Sequence, residues 1–361
     1  MTKTGNRLAA LLLALGLTLS LTAPAQAAGG SALDRAAADT AQFVYSAVQD
    51  PQVGSAGGEW AILGLARSDF ALPEAYCQRY YEAVERQVRE CGGVLHERKY
   101  TEYSRVVTAL SALGRDARDV AGYDLTKPLG DFDKTVWQGV NGPIWALIAL
   151  DSLNYPMPQN PAAQTQATRQ MYVDYILSRQ LPDGGWSLRG EAGNSDPDLT
   201  GMALQALAKY QDQPQAAQAV QRALDCVSRQ QDPTGGFSGW GTDNVESCVQ
   251  IIVALCELGI PLDDPRFVKE GTLQDKLLSF CTPDSGFLHT QDGAGVSQMA
   301  TEQALYALAA LQRAQNGQSS LYRMGDVEAP GGSAPSQPLQ PGPEELVRQA
   351  LLQLLAWAGL R

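Results

Sequence analysis

Two aspartates and a proline stand directly in front of an apolar segment in GNSDPDLTGMALQALAKY, residues 193–210. A carboxyl group that faces a cavity can donate a proton or bind a polar group, so Asp196 and Asp198 are candidate catalytic or ligand-binding residues. The same run also fits the start of a helix, with a capping residue, a proline in the first turn and an acid beside the positive end of the helix dipole. The residue types alone leave both interpretations open.

Two further acids occupy comparable places in later apolar segments. When the Ala-Leu pair at 206–207 is aligned with the pair at 254–255, Asp198 falls level with Glu246. Glu302 lies near the start of the last apolar segment, although not in the same register. We therefore predict that Asp198, Glu246 and Glu302 form a polar rim, if these helices start at the same end of the fold.

Metal chemistry is poorly supported by the cysteines and histidines. The chain has six cysteines and only two histidines, and their spacing matches no zinc motif. Cys77 and Cys91 fall on one predicted helix, where 14 residues correspond to about 21 Å, so they cannot pair while that helix is intact. We predict no metal and no cofactor, and we expect most of the cysteines to be buried as small apolar residues.

The elements that must position the acids come from an internal repeat. Gly-rich turns such as DGGWSL, TGGFSGW and DSGFLH recur, and each is followed by an Ala/Leu-rich segment that is apolar all round and is preceded by an amphipathic one. Such segments predict buried helices and half-exposed helices, respectively. The predicted amphipathic helices are Leu33–Gln49, Pro73–Cys91, roughly Asp131–Gln138, Ala163–Gln180, Gln215–Gln231 and Phe267–Phe280. Periodicity alone leaves an open solenoid and a closed ring as alternatives.

The run RQMYVDYILSRQLPDGGW, residues 169–186, resembles the QW repeat of the squalene cyclase and protein prenyltransferase superfamily. RALDCVSRQQDPTGGF, residues 222–237, repeats the pattern, and residues 276–287 form a degenerate third copy. The resemblance implies an all-α fold, an (α/α)6 toroid of six helix pairs in an inner and an outer ring, over residues 28–324. It also implies a central cavity with aromatic walls, to which we assign Trp60, Tyr103, Trp145, Trp186, Trp240 and Tyr306.

Three functions are compatible with this resemblance. Class II terpenoid cyclases carry Asp-x-Asp-Asp-Thr, and Asp196–Thr200 resembles that motif except that Leu199 replaces the last aspartate. The chain also resembles the helical domain of cobalamin carriers and, over most of its length, exported bacterial prenyltransferase/squalene-oxidase repeat proteins. We expect a non-catalytic protein that binds a bulky, partly apolar ligand of the polyprenoid or corrinoid class in the cavity. The alternatives are a cyclase-like enzyme with Asp198 as proton donor and Asp196 beside it, and a structural or interaction module.

The chain ends indicate the location and the possible partners. Residues 1–27 have the basic start, apolar middle and small-residue cleavage site of a signal peptide, which predicts a secreted protein. The formal net charge of −12 argues against nucleic acid, and no later stretch is long and apolar enough to span a membrane. Residues 325–343 are rich in Pro, Gly and Ser and predict a linker, and residues 344–361 predict an amphipathic helix that could bind a protein partner.

Overall fold

The computed structural model describes residues 31–188, 195–239 and 241–328. Over these ranges the chain is almost entirely helical, and we number the α-helices in chain order. They are α1 Ala32–Ala47, α2 Trp60–Arg67, α3 Glu74–Glu90, α4 Thr101–Ala112, α5 Phe132–Thr135, α6 Asn141–Ser152, α7 Arg169–Ser178, α8 Pro197–Leu207, α9 Pro214–Gln230, α10 Val245–Leu258, α11 Leu273–Ser279 and α12 Gln298–Gln315. Short 3-10 segments cover Lys127–Gly130, Val136–Gln138 and Ala208–Tyr210, and an irregular π-type turn covers Ser55–Glu59. The two-residue strands β1 (Ser238–Gly239) and β2 (Thr242–Asp243) pair antiparallel.

The even-numbered helices form a closed inner ring. Each contacts the next, from α2 through α4, α6, α8 and α10 to α12, and α12 packs back on α2. Glycines allow two of these contacts to be close: a Cβ at Gly64 of α2 would lie 2.8 Å from Leu305 Cγ of α12, and one at Gly201 of α8 would lie 2.9 Å from the Gln250 backbone of α10. The ring distinguishes a toroid from an open solenoid, and the predicted all-α toroid is confirmed.

The hydrophobic pattern explains which helix enters which ring. Helix α10 is buried on nearly all sides, with eleven of its fourteen residues buried, whereas α9 buries a single stripe and exposes the opposite face. Helices α1, α3, α7, α9 and α11 are the outer partners, and the short α5 with its 3-10 extension takes the third outer position. The predicted helix over Ala163–Gln180 is shorter than expected, since α7 begins at Arg169 behind the N-cap Thr168.

The repeated glutamines connect successive repeats. Gln180 Nε2 donates to Gly184 O (2.7 Å) in its own turn and to Ala219 O (2.8 Å) in the next outer helix. Gln231 Nε2 donates in the same way to Gly235 O and to Phe267 O, both at 3.0 Å. The buried aromatics that follow these turns are Trp186, Phe237 and Phe287. The QW-like pattern is therefore a structural device that joins one helix pair to the next.

The C-terminal ends of the inner helices meet a segment that follows α12. The Leu321, Tyr322 and Met324 side chains of this segment are buried. Met324 N donates to Ser152 O at the end of α6, and Tyr322 N donates to Glu257 Oε1 in the last turn of α10. Residues 319–327, which we call the base segment, cover this end of the ring.

Two arginines fix the base segment to the first and last inner helices. Arg67 at the end of α2 donates to Leu321 O (3.1 Å) and pairs with Asp326 (3.0 Å), and Arg313 of α12 pairs with the same carboxylate. Within the described residues no helix is long and apolar enough to cross a membrane. The predicted signal peptide and C-terminal helix lie outside the described residues.

Candidate functional site

The N-termini of the inner helices meet at the end of the ring opposite the base segment, which we call the mouth. In α8 the side chain of Asp196 caps the helix by accepting from Leu199 N at 2.9 Å. Asn244 caps α10 in the same way by accepting from Ser247 N at 2.9 Å. Because these two residues do the capping, the Asp198 and Glu246 carboxylates two positions later are left for other contacts.

The Asp198 side chain is half-buried, and its Oδ1 atom is fully buried with no hydrogen-bond partner among the described residues. The Ser247 hydroxyl of the neighbouring α10 is also buried; it is close enough to the Asp198 carboxyl group to lower the pKa of Asp198, but it forms no well-aligned hydrogen bond in these ranges. The β1–β2 hairpin covers both groups closely, because a Cβ at Gly239 would lie 2.7 Å from Ser247 Oγ and 3.3 Å from Asp198 Oδ2. A larger residue at 239 would therefore fill the space beside the carboxyl group.

Burial is the main cause that raises the pKa of Asp198 to about 6. The negative charges of Asp196 and Glu246 raise it further, whereas Ser247 and His289 act in the opposite direction. A carboxyl group with this pKa is partly protonated near neutral pH. It can then either donate or accept a hydrogen bond.

Glu246 lies beside Asp198 and has a partner of its own. Its Oε2 atom is 2.7 Å from His289 Nδ1, and His289 is largely exposed. The backbone adds a second link, since Val245 N donates to His289 O at 3.0 Å. Asp198, Glu246, Ser247 and His289, which we call the mouth cluster, therefore come from two inner helices and the loop before α12.

Glu302 lies at the same end but is held by protein groups. Its Oε1 accepts from Gly57 N at 2.9 Å and from Gln298 Nε2 at 2.9 Å, and burial raises its pKa to about 7. Glu59, which the sequence analysis did not single out, is buried nearby and accepts from Gly54 N and Tyr80 OH. Burial is also the main cause that raises the Glu59 pKa, and Arg105 opposes it. Through these contacts Glu302 and Glu59 stabilise the turn Gly54–Glu59 that precedes α2.

The aromatics assigned to the cavity wall divide into two groups. Trp60, Trp145 and Tyr306 are buried inside the ring, with the ring centroids of Trp60 at 5.3 Å from Trp145 and 5.9 Å from Tyr306. Tyr322 of the base segment meets Trp145 at 6.3 Å, so these side chains pack against one another through the lower part of the ring. The Tyr306 hydroxyl accepts from Gln250 Nε2 at 3.0 Å and donates to Gln303 Oε1 at 2.9 Å, which places a polar layer above them.

The remaining aromatics lie elsewhere. Trp186 is fully buried and its indole N–H donates to Ile176 O at 2.8 Å, so it anchors the turn between α7 and α8. Tyr103 is buried and lines a pocket of about 820 Å³ beside the start of α4. Trp240 lies outside the described residues.

Exposed apolar side chains concentrate on the mouth side. The large hydrophobic residues most exposed in the described chain include four that precede or open an inner helix, Trp137, Leu188, Val296 and Met299. A pocket of about 480 Å³ lies next to the mouth cluster, with Leu188, Asp196, Leu199 and Ser238 among its lining residues. The mouth therefore combines the carboxyl group of Asp198 and the hydroxyl of Ser247 with apolar surface.

The sequence analysis missed Ser247, His289 and Tyr322. Ser247 follows Glu246 directly, and its position one residue beyond an aligned acid was a usable signal. His289 belongs to another repeat and Tyr322 to no repeat, so no spacing rule pointed to either.

Searches against known proteins gave similar structures but no family. No family model and no curated protein matches the chain. It is similar to ent-copalyl diphosphate synthase from Streptomyces platensis, with 20% identity and a TM-score of 0.46, over 72% of this chain and 50% of that one. A UGL variant with dGlcA-Glc-Rha-Glc is similar at 12% identity and a TM-score of 0.48, over 81% of this chain and 98% of that one. The chain thus spans half the length of the synthase, and its toroid fold rests on the ring contacts described above.

Proposed function

We propose that this protein is an exported binding protein that holds a bulky, partly apolar ligand of the polyprenoid or corrinoid class at the mouth of the toroid and does not convert it. The observation that carries the proposal is the buried Asp198 Oδ1 atom, which has no hydrogen-bond partner in the described residues, beside the buried Ser247 hydroxyl, which forms no well-aligned hydrogen bond there. A buried polar atom without a hydrogen bond costs about 1–3 kcal/mol. A polar group of a ligand would remove that cost at this place.

The surroundings support a ligand that is apolar on its other side. Leu188 and Leu199 line the pocket next to Asp196, and Val296 and Met299 are exposed in front of α12. The lower part of the ring is packed with Trp60, Trp145 and Tyr322. We therefore place the ligand at the mouth, above this aromatic layer, rather than through the whole length of the ring.

A second candidate is the cyclase-like enzyme, and the raised pKa of Asp198 favours it because the acid form persists near neutral pH. Protonation of an alkene also requires that the acid be activated by hydrogen bonds that stabilise its charged form. The Ser247 side chain supplies part of this stabilisation, but Asp198 Oδ1 has no hydrogen-bond partner within the described chain, and Leu199 stands where the cyclase motif has its last aspartate. The binding function is therefore the better supported of the two.

Mass spectrometry of the organic extract, together with a visible spectrum, tests the proposal on protein purified from its native medium. We expect a stoichiometric ligand in the extract of the unaltered protein. The control variant Asp225→Asn, on the exposed face of α9, should retain this ligand, and Asp198→Leu should bind less of it. A linear precursor accompanied by its cyclised product, with turnover lost in Asp198→Asn, would instead establish the enzyme. An empty extract from the unaltered protein would contradict ligand binding and favour the structural module.

A further inference from the structure

A second pocket lies beside the mouth and shares no residue with the mouth cluster. It has a volume of about 820 Å³ and is built from the turn after α3, the loop before α4, the loop after α4 and the turn before α6. Trp137, Val94 and Tyr123 are 56%, 49% and 39% exposed there, which is unusual for side chains of this size. We call this site the aromatic pocket.

Its aromatic walls are held in place by the surrounding chain. The Arg98 guanidinium lies 4.2 Å from the centroid of the Trp137 ring, a cation–π contact that supports the indole. The Tyr123 ring lies against Gly93, where a Cβ would approach to 2.3 Å, and Gly93 has a φ of +81°. The surrounding residues thus hold the two exposed rings in fixed orientations.

The lining of the pocket has more basic than acidic side chains, although the protein as a whole is acidic. Arg98, Lys127 and Lys134 line it, and both lysines are exposed. Two acids also line it: Asp124 is used locally, since its Oδ1 accepts from Thr126 N at 2.8 Å, and Glu97 is exposed. The nearest carboxylate contact of Lys134 is a distant 3.9 Å to Asp131. The occupant should therefore carry negative charge and present a flat, rigid surface to Trp137 and Tyr123.

The sequence beyond Glu328 contains a segment with both properties. Pro335, Pro338 and Pro341 recur every third residue, and Glu344 and Glu345 come after Gly342 and Pro343. A proline every third residue falls on one face of a polyproline II helix, which has three residues per turn and is the form that aromatic-lined grooves bind. We propose that residues 335–345 of this chain's own tail occupy the aromatic pocket, with the prolines on Trp137 and Tyr123 and the two glutamates near Lys127 and Lys134.

The length of the tail is sufficient for this docking. The described chain ends at Glu328, next to the base segment at the C-terminal ends of the inner helices, and the pocket lies at the N-terminal end of α4. Helix α4 has twelve residues, which corresponds to about 18 Å. Sixteen residue steps separate Glu328 from Glu344, and an extended chain covers about 50 Å over that number. The tail can therefore pass around the outside of the ring to the pocket of the same molecule.

Zero-length carbodiimide cross-linking of the full-length protein, followed by peptide mass spectrometry, tests this docking. We expect cross-links from Lys127 or Lys134 to Glu344 or Glu345, with the Lys276–Asp243 pair at 2.7 Å as an internal standard. Trp137→Ala and Pro338→Asp should each lower the tail cross-link about tenfold relative to that standard, as expected for loss of an aromatic anchor or its partner. Met299→Ala, another exposed apolar residue, and Pro330→Asp, a proline before the repeated ones, are the matched controls and should leave it unchanged.

A mixture of unlabelled and ¹⁵N-labelled protein separates the possible sources of the tail. Cross-links within one isotope support docking in the same molecule. Mixed-isotope cross-links at the frequency of random pairing would assign the pocket to a second copy and overturn the proposal. The proposal also fails if the standard forms without any tail cross-link, or if Trp137→Ala leaves the yield unchanged. None of these outcomes bears on the mouth cluster.

Discussion

The substitution Asp198→Asn tests whether Asp198 is a buried acid with a raised pKa or only an acid that favours the helix N-terminus. Burial raises the folded-state pKa of Asp198 from 3.8 to about 6, a difference of about two units. Each unit corresponds to about 1.4 kcal/mol, so the ionised group should cost the folded state about 3 kcal/mol at pH 8. Asn has nearly the same shape and no charge, and Asp198→Asn should therefore stabilise the protein at alkaline pH.

The sign of the pH dependence follows from the direction of the shift. The folded state holds the proton more tightly than the unfolded state, so this group's contribution to stability declines as the pH rises from about 4 to about 6. Above pH 6 the loss is complete and constant. The difference in unfolding free energy between variant and unaltered protein should thus be about 2.5 kcal/mol more favourable to the variant at pH 8 than at pH 4, because part of the loss is already present at pH 4.

Urea unfolding at pH 4 and pH 8 measures this difference, and other titrating groups cancel when the two proteins are compared. The control is Asp196→Asn, because Asn caps a helix about as well as Asp and the Leu199 N–H keeps its acceptor. That variant should remain within about 0.5 kcal/mol of the unaltered protein at both pH values. If Asp198 only favoured the helix N-terminus, Asp198→Asn would lose about 0.3–1 kcal/mol at pH 8, and that result would refute the reasoning.

Three further predictions concern the fold. Gln231→Ala removes the donor to two carbonyls, Gly235 O and Phe267 O, and should lower the unfolding free energy by about 2 kcal/mol in urea, whereas the exposed Gln221→Ala should change it little. The Tyr322 hydroxyl is buried without a hydrogen-bond partner in the described residues, so Tyr322→Phe should leave the unfolding free energy unchanged or raise it. Tyr322→Ala should lower it by about 3–5 kcal/mol. A loss above about 1 kcal/mol for the Phe variant would reveal a partner. Gly201→Ala places a Cβ 2.9 Å from the Gln250 backbone and should lower the unfolding free energy by about 1–3 kcal/mol, which thermal unfolding measures. An unchanged melting temperature would contradict the close contact of α8 and α10.

The toroid could be predicted from the sequence because its information is local and repeated. The Gln180 and Gln231 turns carry the same residues in the same order, and their side chains make the same pair of hydrogen bonds. Neighbouring helices in the ring are also neighbours along the chain. Alignment of the repeats therefore placed Asp198 beside Glu246 without knowledge of the structure, and the electrostatic interaction between them agrees with that placement.

The directions of the aromatic side chains could not be predicted in the same way. Helices such as α6 and α12 are apolar on most sides, so no stripe indicates which residues face the ring centre. The base segment was hidden for another reason. Its contacts join Tyr322 to Glu257 and Met324 to Ser152, which are far apart in sequence and belong to no repeat. Such contacts depend on the closed ring and have no local signal.

The two ends of the ring differ in a way that bears on the proposed ligand. At the C-terminal end the base segment satisfies the buried Glu257 carboxylate, which accepts from Tyr322 N and Ser320 Oγ. At the mouth the helix N-termini provide positive ends of their dipoles, which alone would lower the pKa of a nearby carboxylate. The pKa of Asp198 is raised instead, so burial outweighs the dipole, and the Asp198 Oδ1 atom remains without a hydrogen-bond partner in the described chain. A buried polar atom without a hydrogen bond lowers stability, and a ligand whose polar group meets Asp198 and Ser247 would remove that cost at the mouth.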